Sequence, residues 1–216
     1  MPIQILQPEF IRPIYSGTWA GKPSATGNAG KEIIVTDFNR SRWASNGTYW
    51  YPVGGYAVLK RKNLQSITGA YPALAEVPNA FDGFIIPDDL LLSPGAPTFE
   101  GRAYARRNGT LGTAQSYRLE IGFDGTAANL GFIEGTAGAT QAAIRTFGQL
   151  IQANSAGDYH YVNTSSASDA QASVVSGVAF ATFSGSPVKL FARNGATDGS
   201  ESWAFNYCSL AIHLAG

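Results

Sequence analysis

Polar and apolar residues along the chain recur with the short period of β-strands, and few segments space apolar residues three and four apart for long enough to make a long helix. Glu32 to Phe38 (EIIVTDF) reads as an apolar strand. Ser41 to Ala44 and Thr48 to Val53 read as the arms of a hairpin around Asn46-Gly47, with Trp43, Tyr49, Trp50 and Tyr51 on its faces. Tyr56 to Lys60 (YAVLK) continues as a connecting strand into the basic run Lys60-Arg61-Lys62. Further strands are expected at Gly83 to Pro87, Thr98 to Arg106, Tyr117 to Phe123, Gly131 to Thr136, Ala142 to Gln152, Tyr159 to Asn163, Ser173 to Thr182, Val188 to Arg193 and Ser202 to His213. The last alternates Trp203, Phe205, Tyr207, Ser209, Ala211 and His213 with Ala204, Asn206, Cys208, Leu210, Ile212 and Leu214. Both faces are mostly apolar, which predicts a central strand.

Turn chemistry agrees. Asn46-Gly47, Asn108-Gly109, Asn194-Gly195, Asp82-Gly83, Asp124-Gly125 and Asp198-Gly199 supply the left-handed residues that tight β-turns require. Ala70 to Ala80 is broken as a helix by Pro72 and Pro78. The expected fold class is all-β: an extended N-terminal arm over residues 1–30, a β-hairpin attachment module over 31–62, and an antiparallel two-sheet jelly roll over 63–216. A hairpin of this size is marginal alone. Its clustered aromatics therefore imply packing on the second domain, a neighbouring subunit or a larger particle.

Composition narrows the function. The chain has 216 residues with 15 Lys+Arg against 15 Asp+Glu, and only 14% are charged, where an average domain has about 25%. Zero net charge argues against a nucleic-acid binder, which needs excess cations to neutralise phosphates. The zero is unevenly distributed. Residues 1–62 carry 8 Lys+Arg and 3 Asp+Glu, net +5, and 63–216 carry 7 and 12, net −5. One cysteine, Cys208, excludes an internal disulfide framework and a Cys-rich zinc site. The N-terminus lacks a basic region followed by an apolar run, and no stretch has the roughly 20 apolar residues of a membrane span, so the expectation is a soluble chain made in the cytoplasm without membrane insertion.

Candidate chemistry is sparse. His160 and His213 stand without a second ligand at a recognisable spacing and read as surface or packing residues. No GxSxG elbow or phosphate loop occurs. Asp88-Asp89 follows Pro87 and reads as a turn or helix N-cap. Cys208 reads as a small core residue. The basic clusters Lys60-Arg61-Lys62 and Arg106-Arg107 read first as strand ends that blunt edge pairing. The expectation is a protein that is not an enzyme and binds no cofactor or metal. Distant carboxylates forming a glycosidase pair, or a lectin site, are the remote alternative.

The string Val35-Thr36-Asp37, followed by Trp43-Ala44-Ser45-Asn46-Gly47-Thr48-Tyr49-Trp50-Tyr51-Pro52-Val53-Gly54-Gly55, resembles a hairpin module of tail-fibre and other virion proteins of tailed bacteriophages. Phe84-Ile85-Ile86-Pro87, Leu90-Leu91-Leu92-Ser93-Pro94-Gly95 and Tyr117-Arg118-Leu119-Glu120-Ile121-Gly122 resemble the opening strands of the jelly rolls that often follow it. The resemblance implies a homotrimeric virion protein: a short tail fibre or receptor-binding subunit, with a capsid decoration or head-fibre protein as the alternative. On that reading Trp43, Tyr49, Trp50, Tyr51, Lys60, Arg61 and Lys62 attach the subunit to other virion proteins. Loops at Asn108, Asp124 and Asn194 then face a host surface glycan or protein.

Overall fold

The computed structural model describes residues 13–69, 75–91, 93–109, 115–123, 129–137, 143–152, 159–163, 166–167, 185–194 and 201–214. Strands dominate these residues, and the fold class is all-β.

A small sheet forms first, from β1 (Tyr15–Gly17), β2 (Glu32–Val35), β3 (Ser41–Ser45) and β4 (Trp50–Pro52), in that spatial order. Asn46-Gly47 turns β3 into β4: Gly47 has φ 92°, and the Asn46 side-chain oxygen accepts the backbone N–H groups of Thr48 and Tyr49 at 3.0 Å each. A second hairpin turn separates β2 from β3, where Asn39 and Arg40 have φ 51° and 56° and Ser41 N–H donates to the Phe38 carbonyl at 3.0 Å. Two successive left-handed residues match the twist of the flanking strands. This turn ends β2 at Val35, short of Phe38. The described part of the expected arm folds onto the sheet: β1 lies parallel to β2, and Trp19 is buried in a 3-10 turn over Trp19–Gly21.

The rest of the chain supplies β5 (Tyr56–Gly69), β6 (Ala75–Glu76), the short helix α1 (Asp88–Leu91), β7 (Thr98–Gly109), β8 (Gln115–Phe123), β9 (Asn129–Ala137), β10 (Ala143–Gln152), β11 (Tyr159–Asn163), β12 (Ser166–Ala167), β13 (Val188–Asn194) and β14 (Glu201–His213). One sheet has the order β11-β10-β7-β14-β5, with β12 also pairing β10, and the other has β6-β13-β8-β9. The two sheets meet where Gly101 of β7 lies against Ile121 of β8; a Cβ on Gly101 would stand 3.1 Å from the Ile121 side chain. The basic run lies within β5, so the expected boundary between residues 62 and 63 falls inside a continuous strand.

Two expectations need correction. The strand expected at Gly83 to Pro87 is a single bridge, Ile85 to Pro187, because Asp82 (φ 52°) and Gly83 (φ 69°) make a turn and Pro87 has no N–H to donate. Strand β14 is central, between β7 and β5, but its alternation is broken by a bulge between Phe205 and Tyr207. One extra residue reverses the side-chain faces, so Phe205 joins Cys208, Leu210 and Ile212 in the core while Tyr207 turns outward with Ser209, Ala211 and His213. The strand expected at Ser173 to Thr182 lies outside the described residues.

Among the described residues one hydrophobic core links both parts of the chain, from Trp19, Trp43 and Trp50 through Leu59, Phe81 and Phe99 to Leu210 and Leu214. The aromatic hairpin thus packs on its own chain. Gly95 shows how closely: a Cβ there would lie 2.6 Å from Leu214 and 2.7 Å from the Tyr49 ring.

Candidate functional site

The aromatic module is built around Trp19, Phe38 and Trp43. Trp19 stacks on Phe38 at 5.1 Å between centroids and meets Trp43 edge-on at 4.7 Å, and Phe38 meets Phe84 of the second part edge-on at 6.3 Å. Asp37 fixes Trp19 by accepting its backbone N–H at 2.9 Å. Trp43 and Trp50 are buried, and the Trp50 indole N–H donates to the Pro23 carbonyl at 2.9 Å. Tyr49 and Tyr51 are half-buried and pack edge-on against each other. Of the aromatic residues expected to attach the subunit, only these two tyrosines reach the surface.

A cleft of about 390 Å³ lies between the module and α1, with Trp19, Lys22, Tyr49, Trp50, Asp89 and Pro94 among its lining residues. The Trp19 indole N–H donates to one Asp89 carboxylate oxygen at 2.8 Å, and the Lys22 ammonium bonds the other. Lys22 also lies 4.1 Å from the centroid of the Trp19 ring, so its charge is shared between a carboxylate and an aromatic face. These groups satisfy one another and clasp the module to α1. Trp19 and Lys22 sit in a proline-rich segment that gave no periodic signal, and Asp89 belongs to the pair read only as a turn or cap.

The basic run divides by strand alternation. Lys60 and Lys62 pair with Leu210 and Cys208 on the core-facing side of β5, whereas Arg61 pairs with Ser209 on the outward side. Both lysines reach Asp82 in the turn at the sheet edge, Lys60 at 3.2 Å, and Lys62 also donates to the Asn79 carbonyl at 2.6 Å. The hydrogen bond from Lys62 holds the Asp82 carboxyl below its usual range. Arg61 instead stacks over Tyr207 at 5.5 Å.

Two of the three predicted loop positions lie together. Asn108 pairs with Ser202 near the end of β7, and Asn194 pairs with Tyr117 at the end of β13, so both lie at the end of the sandwich where β8 and β14 begin. Asp124 is outside the described residues.

One titratable cluster was not anticipated. On the outward face of the larger sheet, Glu100 is buried and accepts from Arg102 Nε at 2.6 Å; its other oxygen is 3.1 Å from His213 Nε2. Tyr56 packs over His213 at 4.9 Å between ring centroids. Burial alone raises the Glu100 carboxyl, but the hydrogen bonds from Arg102 and His213 outweigh it and hold the group below the usual range. Burial raises the Tyr56 phenol, and the hydrogen bond to Glu100 raises Arg102 further. Cys208 is buried, donates to the Ala80 carbonyl, and is pushed up by burial to about 12. Among the described residues no three His, Cys, Asp or Glu converge as a metal site, and no helix is long and apolar enough to cross a membrane. No protein-family model and no curated protein matches the chain.

Proposed function

We propose that this protein is a structural component of a tailed-bacteriophage virion: a short tail-fibre or receptor-binding subunit that assembles with copies of itself and with other virion proteins, without catalytic chemistry. The observation that carries this reading is the strand order. With β5, β6, β7, β8, β9, β10, β13 and β14 taken as the first to eighth strands, the sheets read 1-8-3-6 and 2-7-4-5. That order supports a jelly-roll reading, an architecture of viral capsid proteins and lectins. The resemblance of the Val35 to Gly55 string to phage hairpin modules points the same way.

The arrangement of the ends favours a receptor-binding subunit. The module packs at one end of the sandwich, and Asn108 and Asn194 approach the other; twelve-residue β7 separates the two ends by about 40 Å. A virion-proximal module and a host-facing distal end follow naturally from this polarity, with the end marked by Asn108 and Asn194 as the contact region for a host glycan or protein. Attachment through the module falls to the half-buried Tyr49 and Tyr51, since the indoles are turned inward.

Gold labelling with antibody to the purified chain, applied to particles of the phage that encodes it, tests the assignment. Label at the tail is expected; label on the head would make it a decoration protein, and unlabelled particles would refute a virion role. A reducing-sugar assay on host surface polysaccharide should show no release.

A further inference from the structure

We infer that the outward face of the β11-β10-β7-β14-β5 sheet is where a second copy of this chain packs. The inference rests on the reading of the protein as an assembled virion component and names the surface that assembly uses. The central strand β14 turns Tyr207, Ser209, Ala211 and His213 to this face, flanked by Tyr56, Val58 and Arg61 on β5 and by Glu100, Arg102 and Tyr104 on β7. Ser209, Ala211 and Glu100 are themselves buried, so the accessible part of the face is made chiefly by Tyr56, Arg61, Arg102, Tyr207 and His213. An antiparallel sheet with one face in water alternates polar residues outward. Here the outward positions of β14 carry no Lys, Asp or Glu, and the β5 lysines are turned to the other side, where Asp82 holds them.

Tyrosine and arginine with few lysines or aspartates is the composition of a protein interface. Its charges tolerate being covered. Glu100, Arg102 and His213 satisfy one another, so desolvating the face leaves no unpaired carboxylate beneath it. Arg61 has no described carboxylate partner, only the Tyr207 ring. A neighbouring copy supplies the complementary charge, since residues 63–216 carry a net −5. Size agrees as well. Five strands at about 4.8 Å and nine paired positions between β7 and β10 at about 3.4 Å span a face of about 700 Å², close to the roughly 800 Å² per partner of a standard interface.

Sedimentation velocity of the full chain across micromolar concentrations tests the inference, with Arg61→Glu, Tyr207→Glu and, in the N-terminal module, Lys31→Glu as a control. The parent and Lys31→Glu should sediment as oligomers. The two outward-face variants should associate roughly tenfold or more weakly and run as 22.8 kDa monomers with an unchanged far-UV spectrum. Arg61 is exposed on the strand, so Arg61→Glu decides the matter should Tyr207→Glu fold poorly. A parent that stays monomeric, or an oligomer that both variants leave intact, overturns the inference. So does a monomer that engages a host glycan through Arg61 and Tyr207. An oligomer untouched by the variants would refute this face alone, whereas unlabelled phage particles would refute the virion assignment and leave the self-contact standing.

Discussion

Trp50 separates two roles that its sequence context leaves entangled. The side chain is 3% exposed, and its indole N–H is spent on the Pro23 carbonyl. Truncating a buried indole to alanine costs about 3–5 kcal/mol through lost transfer energy and the cavity left behind. The orphaned Pro23 carbonyl adds about 1 kcal/mol. Against a total stability of about 5–15 kcal/mol, Trp50→Ala should therefore be a severe folding lesion. At about 2–4 °C per kcal/mol for a chain of this size, its melting midpoint should fall by about 8–24 °C. Trp50→Phe retains most of the volume and loses the N–H and one ring, so about 1–2 kcal/mol and a fall of about 2–8 °C are expected. Far-UV circular dichroism melts measure both, and under the proposed virion role incorporation into particles should track stability, with the Phe variant incorporated. A Trp50→Ala protein that melts within about 2 °C of the parent yet fails to incorporate would refute the core assignment and make the indole a docking group.

Other expected outcomes follow from packing and charge. Gly95→Ala pushes a Cβ to within 2.7 Å of Leu214 and Tyr49, and overpacking at that seam should lower stability by about 1–3 kcal/mol in a guanidinium titration. Because the Glu100 carboxyl is depressed in the fold, its stabilisation is complete above the unfolded carboxyl range and is lost as pH falls through the lower folded value. Melting midpoints recorded from about pH 5 to about pH 2 should therefore drop more steeply for the parent than for Glu100→Gln. Cys208, buried and pushed up to about 12, should resist a disulfide reagent in native buffer and react as one thiol per chain in denaturant; rapid native labelling would contradict its place in the core.

The residues announce the strands more clearly than the contacts between them. Asn46-Gly47 and Asp82-Gly83 turn where their chemistry requires, and the Ser202 to His213 pattern correctly announces a central strand. The bulge at Asn206 was not legible, because an extra residue between two aromatics leaves the alternation looking intact while its faces exchange. The Asn39-Arg40 turn carried a partial signal in its asparagine. Three-residue β1 carried none, since a parallel strand that short exists only by virtue of its neighbour. The candidate site shows the same division. Aromatic density at Trp43 to Tyr51 marks a module that must bury something, but whether it buries against its own chain or another depends on Trp19 and Phe84, far away in sequence. The basic run looks like one patch, and pleating sends its members to opposite sides.

The central place of β14 fixes the order of events in folding. Among the described residues its partners β5 and β7 are hydrogen-bonded into one sheet only through it, so the larger sheet stays divided until residues 201–213 have left the ribosome. During synthesis both partners wait with open hydrogen-bonding edges, a state prone to mispairing between neighbouring nascent chains. The inward lysines of β5 then serve in time as well as in space: they burden an unclosed edge with charge until the closing strand arrives and the Asp82 turn takes them up. Such late, long-range closure makes for slow folding, and it makes the yield of native protein depend on how crowded the translating cell is.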